Sequence, residues 1–351
     1  MDWSMVRDRL IRLAQEVVAG VDQHECRLAA ACVVSSVAAD DFTPASDVDI
    51  LMVAADGKGR SKVRRRLVEG RVFEWVIVAK GDLADVDAIL GDAGLTHDLL
   101  TAVILRDEGR WLQGIQEGVV SRHRDPASIW LRATNQLDRL RWASERMSRH
   151  VAQGEILPAQ RSHVSVLKAV FGLPRALQNR RCTMTRALPF CREAATELDL
   201  PGYLADALQL FGAAKVDAPS VRELHVLAKQ IVTASRFTPD EQAIRLRHLE
   251  GSRWLLDHAQ PADAVWPLYF WSSANVEEAG GQNSASIWDD WLWFAGVLGV
   301  ATKEDLRRKV DLAEKMIRSA VQLTEKHKNS LELNGKGSQP GAGADAGKPR
   351  R

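Results

Sequence analysis

The sequence predicts an α+β protein, in which a small domain built on a mixed sheet is followed by an all-helical domain. Three short segments rich in apolar and β-branched residues lie within the first ~110 residues, and such runs are typical of strands. From about residue 120 onward, apolar residues recur mostly with helical spacing. A Gly- and Pro-rich segment ends the chain, a composition typical of disorder. We therefore expect a sheet domain over residues 1–115, a helical domain over 120–330 and a disordered tail over 331–351.

The composition excludes several classes of protein. The chain has 351 residues, 46% of them hydrophobic, which is ample for a core. Lys and Arg total 47 against 46 Asp and Glu, so the net charge of +1 does not indicate a globally basic nucleic-acid binder, although nucleic acid is not excluded as a partner. Four cysteines without C-x-x-C spacing indicate neither a disulfide framework nor a zinc site. With no signal-peptide pattern and no membrane-spanning run, a soluble, cytoplasmic protein of undefined oligomeric state is expected.

The elements of the first domain follow from short apolar runs. Asp2 is expected to cap a first helix, whose apolar positions fall on one face. Strands are predicted over residues 28–34, 48–53 and 71–79. Between the second and third strands we expect a turn over 57–60 and then a basic helical stretch that ends at Leu67.

The second domain is predicted as a series of helices. Asp125 and Pro126 are typical of a helix start, because Asp caps the first turn and Pro fits its first position. The segment T-K-E-D from Thr302 resembles a capping box, so a last helix should begin there and extend to about Lys328. Between them we expect helices over 164–177, 185–197, 201–213, 220–235, 239–259 and 286–298.

Three acidic residues form the candidate site. Asp47 and Asp49 are two positions apart at the start of a strand, so both carboxylates project from one face. Such a pair suits a hard divalent cation, which prefers oxygen ligands. Glu74 is the only charge within the apolar part of the third strand, where a carboxylate is costly unless it is paired or metal-bound. If the second and third strands are neighbours, Glu74 reaches the same site.

The end of the first strand offers a second feature. Ser35 and Ser36 close this strand into a turn, where backbone N–H groups and hydroxyls can hold a phosphate. Each piece alone has an ordinary structural explanation: a solvated Asp-x-Asp strand end, a Glu74 carboxylate paired with an Arg such as Arg71, and a simple turn. Their order and spacing are much more specific than any one of them.

This segment resembles a known signature. VVSSVAADDFTPASDVDILMV, over residues 33–53, is similar to the motif of the polymerase-β-type nucleotidyltransferase superfamily, and most similar to that of the bacterial antibiotic nucleotidyltransferases that adenylylate aminoglycosides. The family pattern is Gly-Ser, about ten residues, Ser-Asp-x-Asp and a hydrophobic strand. Ser46, Asp47 and Asp49 match its core and Ser36 matches its serine, while Ser35 stands where the family has glycine. The motif match covers about residues 30–80; beyond it, the resemblance is one of architecture.

The resemblance implies nucleotidyl transfer. Asp47 and Asp49 would hold one or two Mg²⁺ ions against a nucleoside triphosphate, with ATP as the expected donor. Ser36 and its turn would hold the terminal phosphates. Glu74 matches the family's third acid, which would share a metal or take the proton from the attacking hydroxyl of a small-molecule acceptor.

Other charged and aromatic residues are weaker candidates. In the resembling families a basic residue of the helical domain reaches the phosphates, and Lys168 or Arg186 could do so here, although each is as readily a surface cation. Trp288, Asp289 and Asp290 lie in a Trp-rich segment that would suit a cationic or sugar-like acceptor, or would simply fill a helical core. A basic run could steer a nucleotide or RNA, or form a solvated helix face: Lys58, Arg60, Lys62, Arg64, Arg65 and Arg66.

Three functions remain open at this stage. The first is a small-molecule nucleotidyltransferase, and the second is a toxin-like or regulatory transferase that modifies tRNA or protein. The third is an inactive nucleotidyltransferase fold that serves as a binding module, which Ser35 would favour and the intact acidic triad disfavours. A closed acidic pocket between the domains would favour the first function, and an open basic groove the second.

Overall fold

The computed structural model describes residues 3–56, 60–180, 183–234, 237–279 and 284–336. Asp2, the expected first helix cap, lies outside these residues. The first part of the chain contains, in order, α1 Trp3–His24, β1 Leu28–Val34, α2 Ser35–Ala38, β2 Val48–Ala54, β3 Arg60–Val68, β4 Arg71–Ala79, a 3-10 turn Lys80–Leu83, α3 Val86–Gly91, α4 Ala93–Thr101, β5 Val103–Asp107, a 3-10 turn Glu108–Arg110 and α5 Trp111–Arg122.

The described strands form one mixed sheet in the order β3-β4-β2-β1-β5. β2 and β4 are parallel neighbours, whereas the pairs β1–β2, β1–β5 and β3–β4 are antiparallel. The three predicted strands are present as β1, β2 and β4, and helices follow the sheet, so the predicted α+β class is confirmed. Strand β5 and helices α3 to α5 were not among the predicted elements.

Residues up to Leu67 form the strand β3, so the predicted basic helical stretch is wrong. The physical reason is the tight turn that follows: Glu69 and Gly70 both have positive φ, 49° and 73°. Two such residues form the turn that matches the twist of an antiparallel hairpin, and they pair Val68 directly with Arg71. Most of the predicted turn over 57–60 lies outside the described residues.

Both faces of the sheet are covered. Buried residues of α1 pack on one face, against the alternate β2 positions Val48, Ile50 and Met52. Buried residues of α3, α4 and α5 pack on the other face, against Leu51 and Val53. The period-2 alternation of β2 therefore decides which of its side chains face α4, and Asp49 is on that same face at the polar start of the strand.

The rest of the described chain is helical. Its helices are α6 Pro126–Gln153, α7 Ile156–Leu177, α8 Ala187–Glu197, α9 Pro201–Phe211, α10 Ala218–Ala234, α11 Pro239–His258, α12 Pro261–Ala279, α13 Ser284–Val297 and α14 Lys303–Lys336. Helix α12 was missed in the sequence because its apolar residues are not confined to one face and Pro267 lies inside it. Trp266 and Tyr269 of α12 and Trp291 of α13 are fully buried. These side chains of the Trp-rich segment, residues 254–293, therefore fill the core of the helical part.

The predicted ends of the long helices are partly confirmed. Asp125 precedes Pro126 at the start of α6, although its side chain makes no capping hydrogen bond. Thr302 and Asp305 form the reciprocal capping pair, with Thr302 Oγ1 and Asp305 Oδ2 each accepting from the other residue's backbone N–H at 3.1 Å. Helix α14 continues to Lys336, and residues 337–351 of the predicted tail lie outside the described residues. Every described helix is either too short or too polar to serve as a membrane span.

Candidate active site

The strand register brings two of the candidate acids together. Because β2 and β4 are parallel neighbours, Asp49 lies directly opposite Glu74, on the same face of the sheet. Asp47, two positions earlier in the chain, lines the same cavity. Val48 and Ile50 between and beside the aspartates are buried on the opposite face, as their alternation predicts. The site therefore lies at the polar start of the parallel pair.

The turn that follows β1 forms a second wall. Ser35 has a left-handed backbone with φ of 67°, a conformation that favours glycine. Its hydroxyl donates to Asp98 Oδ1 of α4 at 3.2 Å. Ser36 is buried and lines the cavity that holds Asp47. The position occupied by glycine in the resembling family thus has the glycine-type backbone here with a serine side chain.

Three arginines hold the loop that carries Asp47. Arg71 Nη1, from the start of β4, donates to the carbonyl oxygens of Thr43, Pro44 and Ser46 at 3.2, 2.5 and 3.3 Å. From the helical part of the chain, Arg247 donates to the Pro44 carbonyl at 2.9 Å. Arg71 therefore holds this loop through hydrogen bonds, and the partner of Glu74 is a different arginine from the one that the sequence suggested.

The third loop arginine is Arg186. Its guanidinium forms a bidentate pair with the Asp41 carboxylate at 2.9 and 2.8 Å, and it lines the cavity with only 15% of its side chain exposed. Its planar fork suits this geometry and also stacks over Phe190. Arg186 thus reaches across from the helical part, but in the structure its partner is the Asp47 loop.

Glu74 forms an ion pair with an arginine of the neighbouring strand β3. Arg65 Nε on β3 donates to Glu74 Oε2 at 2.5 Å, because the hairpin register sets Arg65 opposite Glu74. The adjacent Arg64 forms the equivalent pair with Glu25, outside the cavity. Two members of the basic run are therefore held by carboxylates, and the run does not form a helical basic face.

A histidine that the sequence did not single out completes the cluster. His248 on α11 has one ring nitrogen that lies, with carboxylate oxygens of Asp47 and Glu74, in a group whose atoms are all within 4.8 Å of one another. Its ring stacks on Trp271 of α12, with centroids 4.3 Å apart and planes inclined by 10°. The side chain is 9% exposed, and the buried Nε2 has no hydrogen-bond partner. Burial, with Arg65 nearby, lowers the pKa of His248 to about 3, so the imidazole is neutral.

Helix α11 is fixed at its start and along its length. Thr238 and Glu241 form a capping box, with Glu241 Oε2 accepting from the Thr238 backbone at 3.2 Å. Further along, Gly251 allows a close approach to the segment before α8, because a Cβ there would lie 2.8 Å from Thr185 Cγ2. His248 lies between these two points, with a ring nitrogen beside the carboxylates of Asp47 and Glu74. Only its spatial neighbours distinguish it from the other histidines, and the sequence contains no signal for that.

A cavity of about 360 Å³ encloses this cluster between the sheet and helices α11 and α12. Its described lining carries four carboxylates, those of Asp47, Asp49, Glu74 and Asp98. Aromatic side chains close the helical side: Trp254, Phe270 and Trp271. A volume of this size is typical of small-molecule sites.

The remaining sequence candidates lie elsewhere. Lys168 of α7 lines a neighbouring cavity and its ammonium lies 5.5 Å from the Phe270 ring centroid. Trp288, Asp289 and Asp290 are on α13, and none of them lines the cavity that holds Asp47. The structure therefore brings Ser36, Asp47, Asp49, Arg65, Glu74 and Arg186 to one cavity, whereas Lys168, Trp288, Asp289 and Asp290 do not line it.

The sequence matches no protein-family profile, and no curated protein is significantly similar to it. Among solved structures, the chain is similar to a nucleotidyltransferase-like protein from Exiguobacterium sibiricum 255-15, with 11% identity and a TM-score of 0.33, over 76% of this chain and 75% of that chain. A similarity at this level carries no argument about activity, which must rest on the site itself.

Proposed function

We propose that this protein is a metal-dependent nucleotidyltransferase, which moves AMP from ATP to a hydroxyl of a small molecule. The observation that supports this most is the placement of Asp49 opposite Glu74 on parallel strands, with Asp47 and the Ser36 turn at the same cavity. This reaction needs groups that hold a metal ion and groups that hold the phosphates, and carboxylates on adjacent strands next to a turn with hydroxyl and backbone N–H donors could provide both. The sequence resemblance described above implies the same chemistry.

The donor set of the cavity fits a divalent cation. Carboxylate oxygens are the preferred ligands of Mg²⁺, and Asp47 and Asp49 would hold it. His248 adds one ring nitrogen beside the carboxylates of Asp47 and Glu74, so the cluster also contains a nitrogen donor. When bound, such a cation neutralises the negative charge that develops on the transferring phosphate.

The remaining roles belong to the protein's own side chains. The Ser36 hydroxyl and the backbone of its turn would bind the terminal phosphates. Glu74 would accept the proton of the attacking hydroxyl, because its carboxylate lies in the cavity directly opposite Asp49. Once Glu74 has taken the proton and lost its negative charge, the positive charge of its partner Arg65 would stabilise the charge on the phosphates.

The cavity favours a small acceptor over a macromolecular one. It lies between the sheet and the helices, and its described lining has four carboxylates and three aromatic side chains. The two arginines that also line it, Arg65 and Arg186, are both paired with carboxylates, so the lining is not a basic groove. Carboxylates together with the faces of Trp254 and Trp271 suit a cationic or aminated, sugar-like molecule. An aminoglycoside-like or biosynthetic acceptor is therefore the first class to test.

The experiment that tests this proposal compares two matched ion pairs. We expect Glu74→Gln to keep MgATP affinity within a few fold by calorimetry and to lower turnover by ~10²–10⁴, because it deletes the base and keeps the shape. Glu25→Gln is the control, since Glu25 pairs with the adjacent Arg64 outside the cavity. It should leave turnover unchanged.

Melting temperatures of both variants separate catalysis from stability. If Glu74→Gln melts early but turns over normally per folded molecule, Glu74 only pairs with Arg65 and the base assignment is wrong. If neither the natural protein nor Glu25→Gln transfers a nucleotide to any acceptor, and the natural protein does not bind MgATP, the proposed function itself is wrong.

A further inference from the structure

We propose that His248 is a direct nitrogen ligand for the cation when no nucleotide is bound, so that Asp47, Glu74 and His248 form a mixed site selective for a first-row transition-metal ion such as Mn²⁺. This inference deepens the proposed function, because it rests on two of the same carboxylates. It also means that the cation joins helix α11 to the sheet.

The geometry supports one shared ion. The three ligand atoms all lie within 4.8 Å of one another, and His248 Nδ1 is 4.0 Å from Asp47 Oδ2, too far for a hydrogen bond. Ligand atoms around a single cation lie roughly 3–4 Å apart, since each is about 2.1 Å from the ion. Small rotations of the partly buried carboxylate side chains of Asp47 and Glu74 would close that difference.

His248 is not explained by its packing alone. Its side chain is 9% exposed, and its buried Nε2 has no hydrogen-bond partner. Leaving a buried polar nitrogen unsatisfied costs about 1–3 kcal/mol. Of the three described histidines with such a nitrogen, His97, His225 and His248, it is His248 that also lies beside the carboxylates of Asp47 and Glu74. The stack on Trp271 fixes the ring plane in advance, so little side-chain entropy is lost when a metal binds.

The ligand types set the selectivity. Mg²⁺ binds oxygen ligands and retains water, whereas imidazole favours transition metals. A site with two carboxylates and one imidazole therefore favours Mn²⁺ or Co²⁺ over Mg²⁺ more than a site with carboxylates alone does. When a nucleotide binds, its phosphate oxygens add ligands and the contribution of His248 becomes smaller.

The test uses Mn²⁺ alone, with the full chain carrying no polyhistidine tag. Counting unbound Mn²⁺ by EPR gives the affinity, and pulsed EPR detects the ¹⁴N modulation of a directly bound imidazole. We expect one tightly bound Mn²⁺ with ¹⁴N modulation in the natural protein. His248→Gln should lose the modulation and bind Mn²⁺ at least about tenfold more weakly, the scale seen on perturbing a metal ligand set.

Two further variants keep the result interpretable. His258→Gln is the matched control, since His258 is on the same helix and also stacks on a tryptophan, Trp254, at 4.6 Å. It should retain both the affinity and the modulation. His248→Asp should recover Mn²⁺ binding without ¹⁴N modulation, and it should bind Mg²⁺ more tightly than His248→Gln does. That result would show that His248→Gln lost a metal ligand and not the fold.

Several outcomes would overturn the inference: no bound Mn²⁺ in the natural protein, ¹⁴N modulation that persists in His248→Gln, or equal Mn²⁺ affinity in the two. If nucleotide transfer with MgATP continues under any of them, only the His248 ligand is wrong. If Mn²⁺ binds with ¹⁴N modulation but no nucleotide is transferred, the metal site stands and the proposed function fails.

Discussion

Ser35 combines a serine side chain with a backbone that glycine adopts more easily. Its φ of 67° places it in the left-handed region, which costs an L-residue roughly 1–2 kcal/mol. The Ser35 hydroxyl bonds to Asp98, and the turn sets Ser36 at the cavity. The strained backbone of Ser35 is therefore part of the turn that we expect to contact the phosphates.

The strain can be measured with two variants that both lack the hydroxyl. We expect Ser35→Gly to be more stable than Ser35→Ala by about 1 kcal/mol in urea unfolding, because only glycine relieves the left-handed strain. Comparing these two variants removes the lost Asp98 bond from the result. Equal stability, or a more stable alanine variant, would show that the turn is not strained.

Proximity in the candidate site was partly predictable from sequence. Strand alternation predicted that the Asp47 and Asp49 carboxylates would lie together, and both line one cavity, although Asp47 just precedes β2. Glu74 was expected to join them if its strand were adjacent to theirs, and the observed register places it opposite Asp49. Their catalytic and metal-binding roles stay predictions. His248 could not be found, because it reaches the site through the packing of a helix some 200 residues along the chain.

The loop before β2 depends on Arg71, whose single Nη1 contacts three carbonyls. We expect Arg71→Lys to loosen this loop and weaken cation binding by about tenfold, the usual effect of losing a group that orients a ligand. A lysine side chain is shorter and its stem more flexible, so its ammonium is not held at the position that Nη1 occupies among these carbonyls. Metal titration with amide hydrogen exchange over residues 39–47 tests this, and unchanged exchange would contradict it.

Within the helical core, α7 provides a buried histidine that should make stability depend on pH. His163 contacts Tyr269 Oη at 3.1 Å and the Leu210 carbonyl at 3.0 Å, and burial lowers its pKa to about 3. The unfolded chain has the ordinary pKa of about 6.5. As pH falls below that value the unfolded state takes up a proton that the folded state does not, so stability is complete above it and decreases towards pH 3.

A substitution isolates this contribution. We expect His163→Gln to be less stable near neutral pH, but to lose about 1 kcal/mol less per pH unit between about pH 6 and pH 4 than the natural protein does. Denaturant unfolding at several pH values gives both slopes. Parallel slopes would mean that His163 is protonated in the folded protein.

The errors in predicting elements have physical causes. Strand β3 was mistaken for a helix because its charged residues hide the period-2 pattern, and the deciding signal was the turn at Gly70. Helix α12 was missed because it is apolar on most sides. Long amphipathic helices such as α6 and α14 were predictable, since one polar face and clear caps mark them.

At the scale of the whole molecule, the cavity exists only because the sheet and the helices meet. The three candidate acids come from β2, from the loop just before it and from β4, whereas His248 and Trp271 come from α11 and α12. Arg186 and Arg247 join the two parts at the same loop. A ligand held here contacts both parts at once, and this arrangement suits a reaction that joins two substrates.

The central claim is that the α-phosphate is the group transferred, and labelled ATP tests it most directly. The protein would be incubated with Mg²⁺, an aminoglycoside panel, tRNA or lysate, and ATP radiolabelled at either the α- or the γ-phosphate. The account predicts that α-label moves to a small-molecule acceptor while γ-label leaves as pyrophosphate, and that Asp49→Asn abolishes both. Transfer of the γ-label to an acceptor, or full activity in Asp49→Asn, would contradict the account.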